Sequence, residues 1–440
     1  MNAGGLFKRL KAKYTSNLLF QRLLTVLSID ILVKLSGVLL LPVYLRLMSQ
    51  EEYGLYNYLI SIIQTFSIVL NFGLYIPLSK YYHDHPEKAK RGELLFTILS
   101  LLVVIFLITL FPIYFFGWDY TIVKILFSNP INYSSYRQTL LLALVITVGN
   151  FMLTNFFYSS EKIGHLKRYN ISRIIFINVI SLLFLFLLKG KDTVRVRLEA
   201  TYLVELALFI LFSVHYWREV KKTFDKKLAK LSLKLALPIM ISAIFGIVIN
   251  FSDKFFLEKY GTFRSLSYYY LASTCASAIP LIFASFQNAW LPLFLKEKDV
   301  QKNIARTTRV MIRLFFIFLG LSVCILLFIK LVLVTGVIQQ KYEQTLYILP
   351  IVLVAQIFAA LVPLYSNYLI YFEKTYITTL TGLAVCGLSV GLSLTLIPRY
   401  GVYGAASVSL VSEATYLLLY YFIVKAYSKK QLLTSPPVAG

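Results

Sequence analysis

The 440 residues are 58% hydrophobic and only 15% charged, against about 45–50% and about 25% in soluble domains. That surplus excludes a secreted globular enzyme, a disordered chain and a coiled coil, and it marks an integral membrane protein. The 44 Lys and Arg outnumber the 20 Asp and Glu, for a net charge of +24. The bases cluster between apolar runs, so the excess reports membrane topology, and nucleic acid is not an expected partner.

A helix crossing the hydrocarbon needs about 20 mostly apolar residues. Twelve runs qualify: 24–47, 55–79, 94–116, 138–159, 171–189, 199–217, 233–257, 267–294, 308–334, 344–371, 376–397 and 401–424. The first follows Lys8, Arg9, Lys11 and Lys13, as the apolar part of a signal peptide would. It is too long for one and lacks a small-residue cleavage site, so it reads as a retained helix. Alternating the loops between two sides puts 30 Lys and Arg on the side with both termini and 13 on the other, with Lys34 inside the first run. Positive charge stays on the cytoplasmic side, so both termini are expected in the cytoplasm.

The fold class expected is an all-α integral membrane protein. Its organisation is expected to be an N-terminal six-helix lobe at 1–218, a basic amphipathic linker at 219–232, a second six-helix lobe at 233–427 and a cytoplasmic tail at 428–440. The linker lies in the run REVKKTFDKKLAKLS at 218–232, which suits anionic headgroups, so membrane lipids are expected partners. The longest outer loop, 117–137, is too short for a soluble catalytic domain. A short echo, Glu51-Glu52-Tyr53-Gly54 after the first span and Glu258-Lys259-Tyr260-Gly261 after the seventh, suits a chain built from two repeated halves.

Polar groups inside apolar runs carry the functional signal, because a charge at mid-bilayer costs about 2.5–3.5 kcal/mol on insertion scales. Asp30 and Lys34 stand four apart in the first run, on one helical face. Either they neutralise each other as helix glue, or they line a wet cavity, Lys34 for an anion and Asp30 for a coupling cation. In the second run Asn57, Ser61, Gln64, Asn71 and Tyr75 form one stripe, which serves either as interhelical hydrogen-bond glue or as a cavity face. Glu205 and Glu413 are lone acids in apolar runs, either silent and protonated or sites of ion coupling. Asn250, Ser252, Asp253 and Lys254 close the seventh run. In the eighth, Ser273, Ser277 and Gln287 fall near one face, with Asn288 beside it. Arg173, Lys254, Arg264 and Arg313 sit near helix ends, where they either snorkel to the interface or turn inward as a cationic vestibule suited to a diphosphate.

Other chemistry is thin. Cys275, Cys324 and Cys386 all lie in apolar stretches and support neither a disulfide framework nor a zinc site. His83-Asp84-His85 lacks further ligands at metal-binding spacing. There is no Ser-His-Asp or Cys-His arrangement, no P-loop and no GxGxxG. No cofactor or metal is therefore expected.

Several stretches resemble a known family. Residues 47–56, LMSQEEYGLY, and 71–74, NFGL, leading to Lys80-Tyr81-Tyr82, are similar to the first and second helices of bacterial polysaccharide and O-antigen flippases. Residues 252–256, SDKFF, with Tyr268 and Trp290-Leu291-Pro292, look like their seventh and eighth helices. The clearest match is 396–406, LIPRYGVYGAA. These are the oligosaccharidyl-lipid and polysaccharide transporters of the MOP superfamily, which also holds drug antiporters and lipid II flippases. One departure is that Ser389 and Ser393 replace the Asn often found in the eleventh helix; the lack of an arginine cluster in the first two helices, and twelve spans in place of fourteen, lean away from the lipid II flippase branch.

The resemblance implies a V-shaped, pseudo-twofold pair of six-helix bundles around a central cavity, in the bacterial cytoplasmic (inner) membrane. It implies a flippase that carries undecaprenyl-diphosphate-linked oligosaccharide to the outer leaflet by alternating access, not an enzyme. An ion gradient or the membrane potential would drive it, with Na+ or H+ as coupling ion. On this reading Lys34, Lys254, Arg313, Arg173 and Arg264 meet the diphosphate. Asp30, Asp253, Glu205 and Glu413 serve ion coupling, and Asn57, Gln64, Asn71, Gln287 and Asn288 touch sugar. Polysaccharide polymerase machinery is the implied protein partner. The alternatives are a drug or cation antiporter of the same fold and a membrane-embedded glycan polymerase or glycosyltransferase.

Overall fold

The computed structural model describes residues 37–434, except 38, 86, 189, 298, 373 and 375. Asp30 and Lys34, and most of the expected first span, lie outside the described residues; 39–47 at its end are helical. The helices that follow are α1 (Gln50–Leu70), α2 (Tyr75–Asp84), α3 (Lys88–Phe115), α4 (Trp118–Leu126), α5 (Tyr133–Ser159) and α6 (Ile163–Leu187). Next come α7 (Thr193–Trp217), α8 (Lys226–Tyr260), α9 (Phe263–Ala276), α10 (Ala278–Lys296) and α11 (Val300–Val334). A 3₁₀ turn at Gln340–Tyr342 precedes α12 (Gln344–Tyr371) and α13 (Tyr376–Thr434). The described residues hold no strand, as expected where hydrocarbon offers the backbone no partner and a helix satisfies itself.

Ten described helical segments are long and apolar enough to cross a membrane, and the chain is a multi-pass membrane protein. The last segment contains two expected spans, because Gly401 leaves the helical region at φ 53°, ψ −123°. Gly404 packs behind that break: a Cβ there would meet Leu396 O at 2.5 Å. Rows of apolar side chains stay exposed, among them Leu107, Ile108, Phe111 and Phe115 on α3 and Phe316, Ile317, Phe328 and Leu331 on α11. A soluble protein would bury such rows; here they face lipid.

Two expected spans break, and two stretches between spans gain structure. The run 55–79 is not one helix. Phe72 and Gly73 take φ of 55° and 70°, and a Cβ on Gly73 would lie 2.8 Å from Ala236 O. The close approach of α8 thus favours glycine and a break between α1 and α2. The run 267–294 divides at Ser277 into α9 and α10. The loop 117–137 contains α4. In the basic stretch 219–232, α8 begins at Lys226, and the residues before it dock on α3. Lys221 N–H donates to Gly92 O at 3.1 Å, Lys221 Nζ pairs with Glu93 at 2.6 Å, and Asp225 N–H donates to Thr97 Oγ1 at 3.1 Å.

The chain forms two compact units. Of the described residues, one takes those up to Tyr44, Phe66–Asp119 and Asn132–Met240; the other takes Leu45–Thr65, Tyr120–Ile131 and those from Ile241 onward. The first unit packs Leu94, Leu95 and Ile98 of α3 against Phe156 and Phe157 of α5, Leu166 and Tyr169 of α6 and Tyr216 of α7. In the second, α12 packs against α9, α10, α11 and α13. Its Leu349, Leu353, Tyr365 and Tyr368 are fully buried.

The motif at 47–56 has a local function in the second unit. Ser49 and Glu52 form a capping box for α1: Glu52 N–H donates to Ser49 Oγ at 3.2 Å, and Ser49 N–H donates to Glu52 Oε2 at 2.7 Å. Gly54 lets α1 touch the start of α9, since an ideal Cβ would sit 1.8 Å from Phe263 O. Its counterpart in the echo works differently. Glu258 is buried and accepts from the backbone N–H groups of Ser128 and Asn129 at 2.9–3.0 Å.

Candidate functional site

In each unit, one polar cluster among apolar helices brings sequence candidates together. In the first, α5, α6 and α7 converge. Buried Glu205 accepts from Arg173 at 2.5 Å through Oε1 and from Asn150 Nδ2 at 2.7 Å through Oε2. Asn150 Oδ1 in turn accepts from the Tyr169 hydroxyl. The Tyr169 ring lies 5.6 Å from the Arg173 guanidinium carbon. Tyr169 and Arg173 stand four apart, so one face of α6 presents both. The ion pair and the ring replace the water the guanidinium loses. Both Glu205 oxygens are satisfied; Arg173 Nε is buried without a partner.

The second cluster surrounds a cavity of about 90 Å³ in the second unit, lined by α8, α9, α12 and α13. Buried Asp253 on α8 anchors it. Its Oδ1 accepts from Lys254 Nζ at 3.1 Å and from the Lys254 backbone N–H at 2.8 Å. Its Oδ2 accepts from the Tyr269 hydroxyl of α9 and from Ser409 Oγ of α13 at 3.5 Å. Lys254 Nζ also donates to Asn250 O at 2.6 Å. Ser252 and Ser389 pair at 3.1 Å. Glu413, one turn beyond Ser409, lines the same cavity with Gln356 and Ser412. Among the described residues Glu413 has no ion pair or hydrogen bond, and the buried Ser412 hydroxyl has no partner. The walls are oxygen-rich, the donor set that hard cations take and that a proton relay needs.

The sequence candidates therefore separate. Asp253, Lys254 and Glu413 meet at one cavity, and Arg173 and Glu205 meet in the other unit. Arg264 is exposed at the start of α9 and donates from Nε to the Tyr268 hydroxyl at 3.0 Å; Arg313 is exposed on α11. Neither lines the Asp253 cavity. The stripe on the second span does not converge on one place. Asn57 donates to Tyr53 O of its own helix at 2.7 Å, Gln64 is exposed, and Asn71 is buried in the break with both amide atoms unpaired among the described residues. Gln287 buries an unpaired Oε1, and Asn288 is exposed. Reading the sequence missed Asn150, Tyr169, Tyr269, Gln356 and Ser409. Asn150 and Gln356 carried the same signal as Glu205, a polar group in an apolar run.

Residues 19–298 match a family described as polysaccharide biosynthesis protein. The chain belongs to that family. No curated protein matches it. Among solved structures it is similar to the lipid II flippase MurJ in an inward closed conformation, at 17% identity and TM-score 0.73, over 91% of this chain and 87% of that one. It is also similar to an inward-facing multidrug resistance MATE transporter of the MOP superfamily, at 16% identity and TM-score 0.69, over 94% and 96%. The MATE transporter VcmN of Vibrio cholerae in its bent form matches at 13% identity and TM-score 0.57, over 94% and 97%. The family protein thus has the fold of the MOP superfamily.

Proposed function

We propose that the protein is a flippase for undecaprenyl-diphosphate-linked oligosaccharide, working from the cytoplasmic to the outer leaflet of a bacterial cytoplasmic membrane. The observation that carries this reading is the match to polysaccharide biosynthesis proteins over residues 19–298; the fold shared with a lipid II flippase supports it. The physical task is to move a sugar chain and two phosphates across about 30 Å of hydrocarbon. Cations lower the barrier for the phosphates, and Lys34 and Lys254 are the proposed contacts. The positive-inside bias supports cytoplasmic termini.

The Asp253 cavity is the proposed coupling site. Asp253 has its four acceptor directions filled by Lys254, Tyr269 and Ser409. Glu413 has none of these and exchanges a proton or sodium ion with the cavity. One charge moved across the membrane yields about 2.3 kcal/mol per 100 mV. The test uses proteoliposomes carrying the purified chain and a fluorescent undecaprenyl-diphosphate oligosaccharide. Quencher accessibility reports leaflet exchange with and without a proton or sodium gradient. Gradient-sensitive exchange above protein-free vesicles supports the proposal. Efflux of organic cations without lipid exchange would replace it with the antiporter reading.

A further inference from the structure

The motif 396–406 is the clearest sequence signature in the chain, yet the coupling cavity does not use its tyrosines. In the second unit it builds one wall of a separate cavity of about 240 Å³. Gly401, at positive φ, turns the chain so that Val402 and Tyr403 face this cavity. Tyr268 of α9 and Gln344 and Tyr347 at the start of α12 form the other walls. Three segments thus meet near their N-terminal ends, where Arg264, Lys341 and Glu343 also lie. These charges place the cavity at an aqueous end of the helices, not in hydrocarbon.

The lining is aromatic but not simply apolar. Tyr347 and Tyr403 are 60% and 49% exposed, while Tyr268 is 4% exposed and holds its hydroxyl against Arg264. Behind Tyr268 stands a row of rings: Tyr342 at 6.5 Å and Tyr53 beyond it at 6.3 Å, both edge-on. Gln50 Nε2, donating to Lys341 O at 2.5 Å, and Lys341 Nζ, donating to Met48 O at 3.3 Å, tie this row to the 47–56 motif. Both family-like motifs thus support the same cavity.

We propose that this cavity is a glycan-binding site holding one sugar residue. A pyranose presents an apolar C–H face and a rim of hydroxyls. Tyrosine rings, negative on their faces, suit the C–H face. The Gln344 amide, both donor and acceptor, suits the rim. The volume is below the roughly 300–1,000 Å³ of drug-sized sites, which is room for one ring and not a chain. The flippase reading supplies the source of the glycan, the oligosaccharide being carried.

The test is saturation-transfer NMR on the full chain in phosphatidylethanolamine and phosphatidylglycerol nanodiscs. N-acetylglucosamine, galactose, rhamnose and glucuronate are the soluble probes. At least one shows transfer to its ring C–H protons above empty nanodiscs. Tyr347→Ala and Tyr403→Ala each weaken binding by about tenfold, as loss of a stacking ring should. Tyr347→Phe retains binding, and Gln344→Leu, at an exposed first-turn position, reduces it. Trp118→Ala removes an exposed aromatic residue of the other unit and changes nothing. No transfer to any probe overturns the site. So does unchanged transfer in the monodisperse Ala variants, or equal loss with Trp118→Ala, which would make these tyrosines an interface belt. Sugar binding without leaflet exchange would sink the flippase reading and keep the site. Leaflet exchange without sugar binding would sink the site alone.

Discussion

The two polar clusters use similar parts differently. In the first unit Glu205 is locked by Arg173 and Asn150, which reach it from two other helices. In the second unit Asp253 is held by its own neighbour Lys254 and by Tyr269, and a second acid, Glu413, faces a cavity with no partner among the described residues. A buried acid paired across helices fastens those helices together. An acid beside a cavity, with its counter-charge already committed elsewhere, is free to take and release a cation. Under the proposed function, the first cluster serves stability and the second serves coupling.

Four single substitutions and one paired replacement test that contrast, the largest effect first. Glu205→Ala leaves Arg173 without its counter-charge and should cost about 3–5 kcal/mol, seen as a large drop in the thermal midpoint of the purified protein. The apolar pair Arg173→Met with Glu205→Leu should recover most of it; failure to recover would mean the pair does more than fasten helices. Asp253→Asn removes a charged acceptor from Lys254 and Tyr269, with an expected loss of about 1.5–3 kcal/mol by the same measurement. Tyr269→Phe deletes one donor and should cost about 1 kcal/mol. Glu413→Gln should leave stability within about 0.5 kcal/mol, because no partner is lost. A large destabilisation there would give Glu413 a structural role and erase the contrast.

The sequence shows why the spans were readable and their breaks were not. Apolar runs of about 20 residues report the bilayer directly, so α3, α5, α6, α7 and α11 fall where the runs predict. The break after Leu70 depends on how closely Gly73 approaches Ala236, a contact between distant segments that no local pattern records. That break also undid the Asn57, Gln64 and Asn71 stripe. Helical periodicity placed these residues on one face, but Asn71 lies past the end of α1. For the site, intramembrane charge pointed to Glu205, Asp253 and Glu413. Tyr269 and Ser409 stayed hidden because tyrosine and serine are ordinary in apolar helices and become partners only when α9 and α13 meet α8. Arg264 and Arg313 show the limit of reading cations near helix ends, since both are exposed.

The most direct test sets Glu413→Gln beside Glu205→Gln in the proteoliposome exchange assay, normalised to folded protein. Glu413→Gln is expected to fold normally and to lose the gradient dependence of exchange, while the folded fraction of Glu205→Gln exchanges lipid-linked oligosaccharide as the wild type does. Gradient dependence that survives in Glu413→Gln and disappears in Glu205→Gln would contradict this expectation.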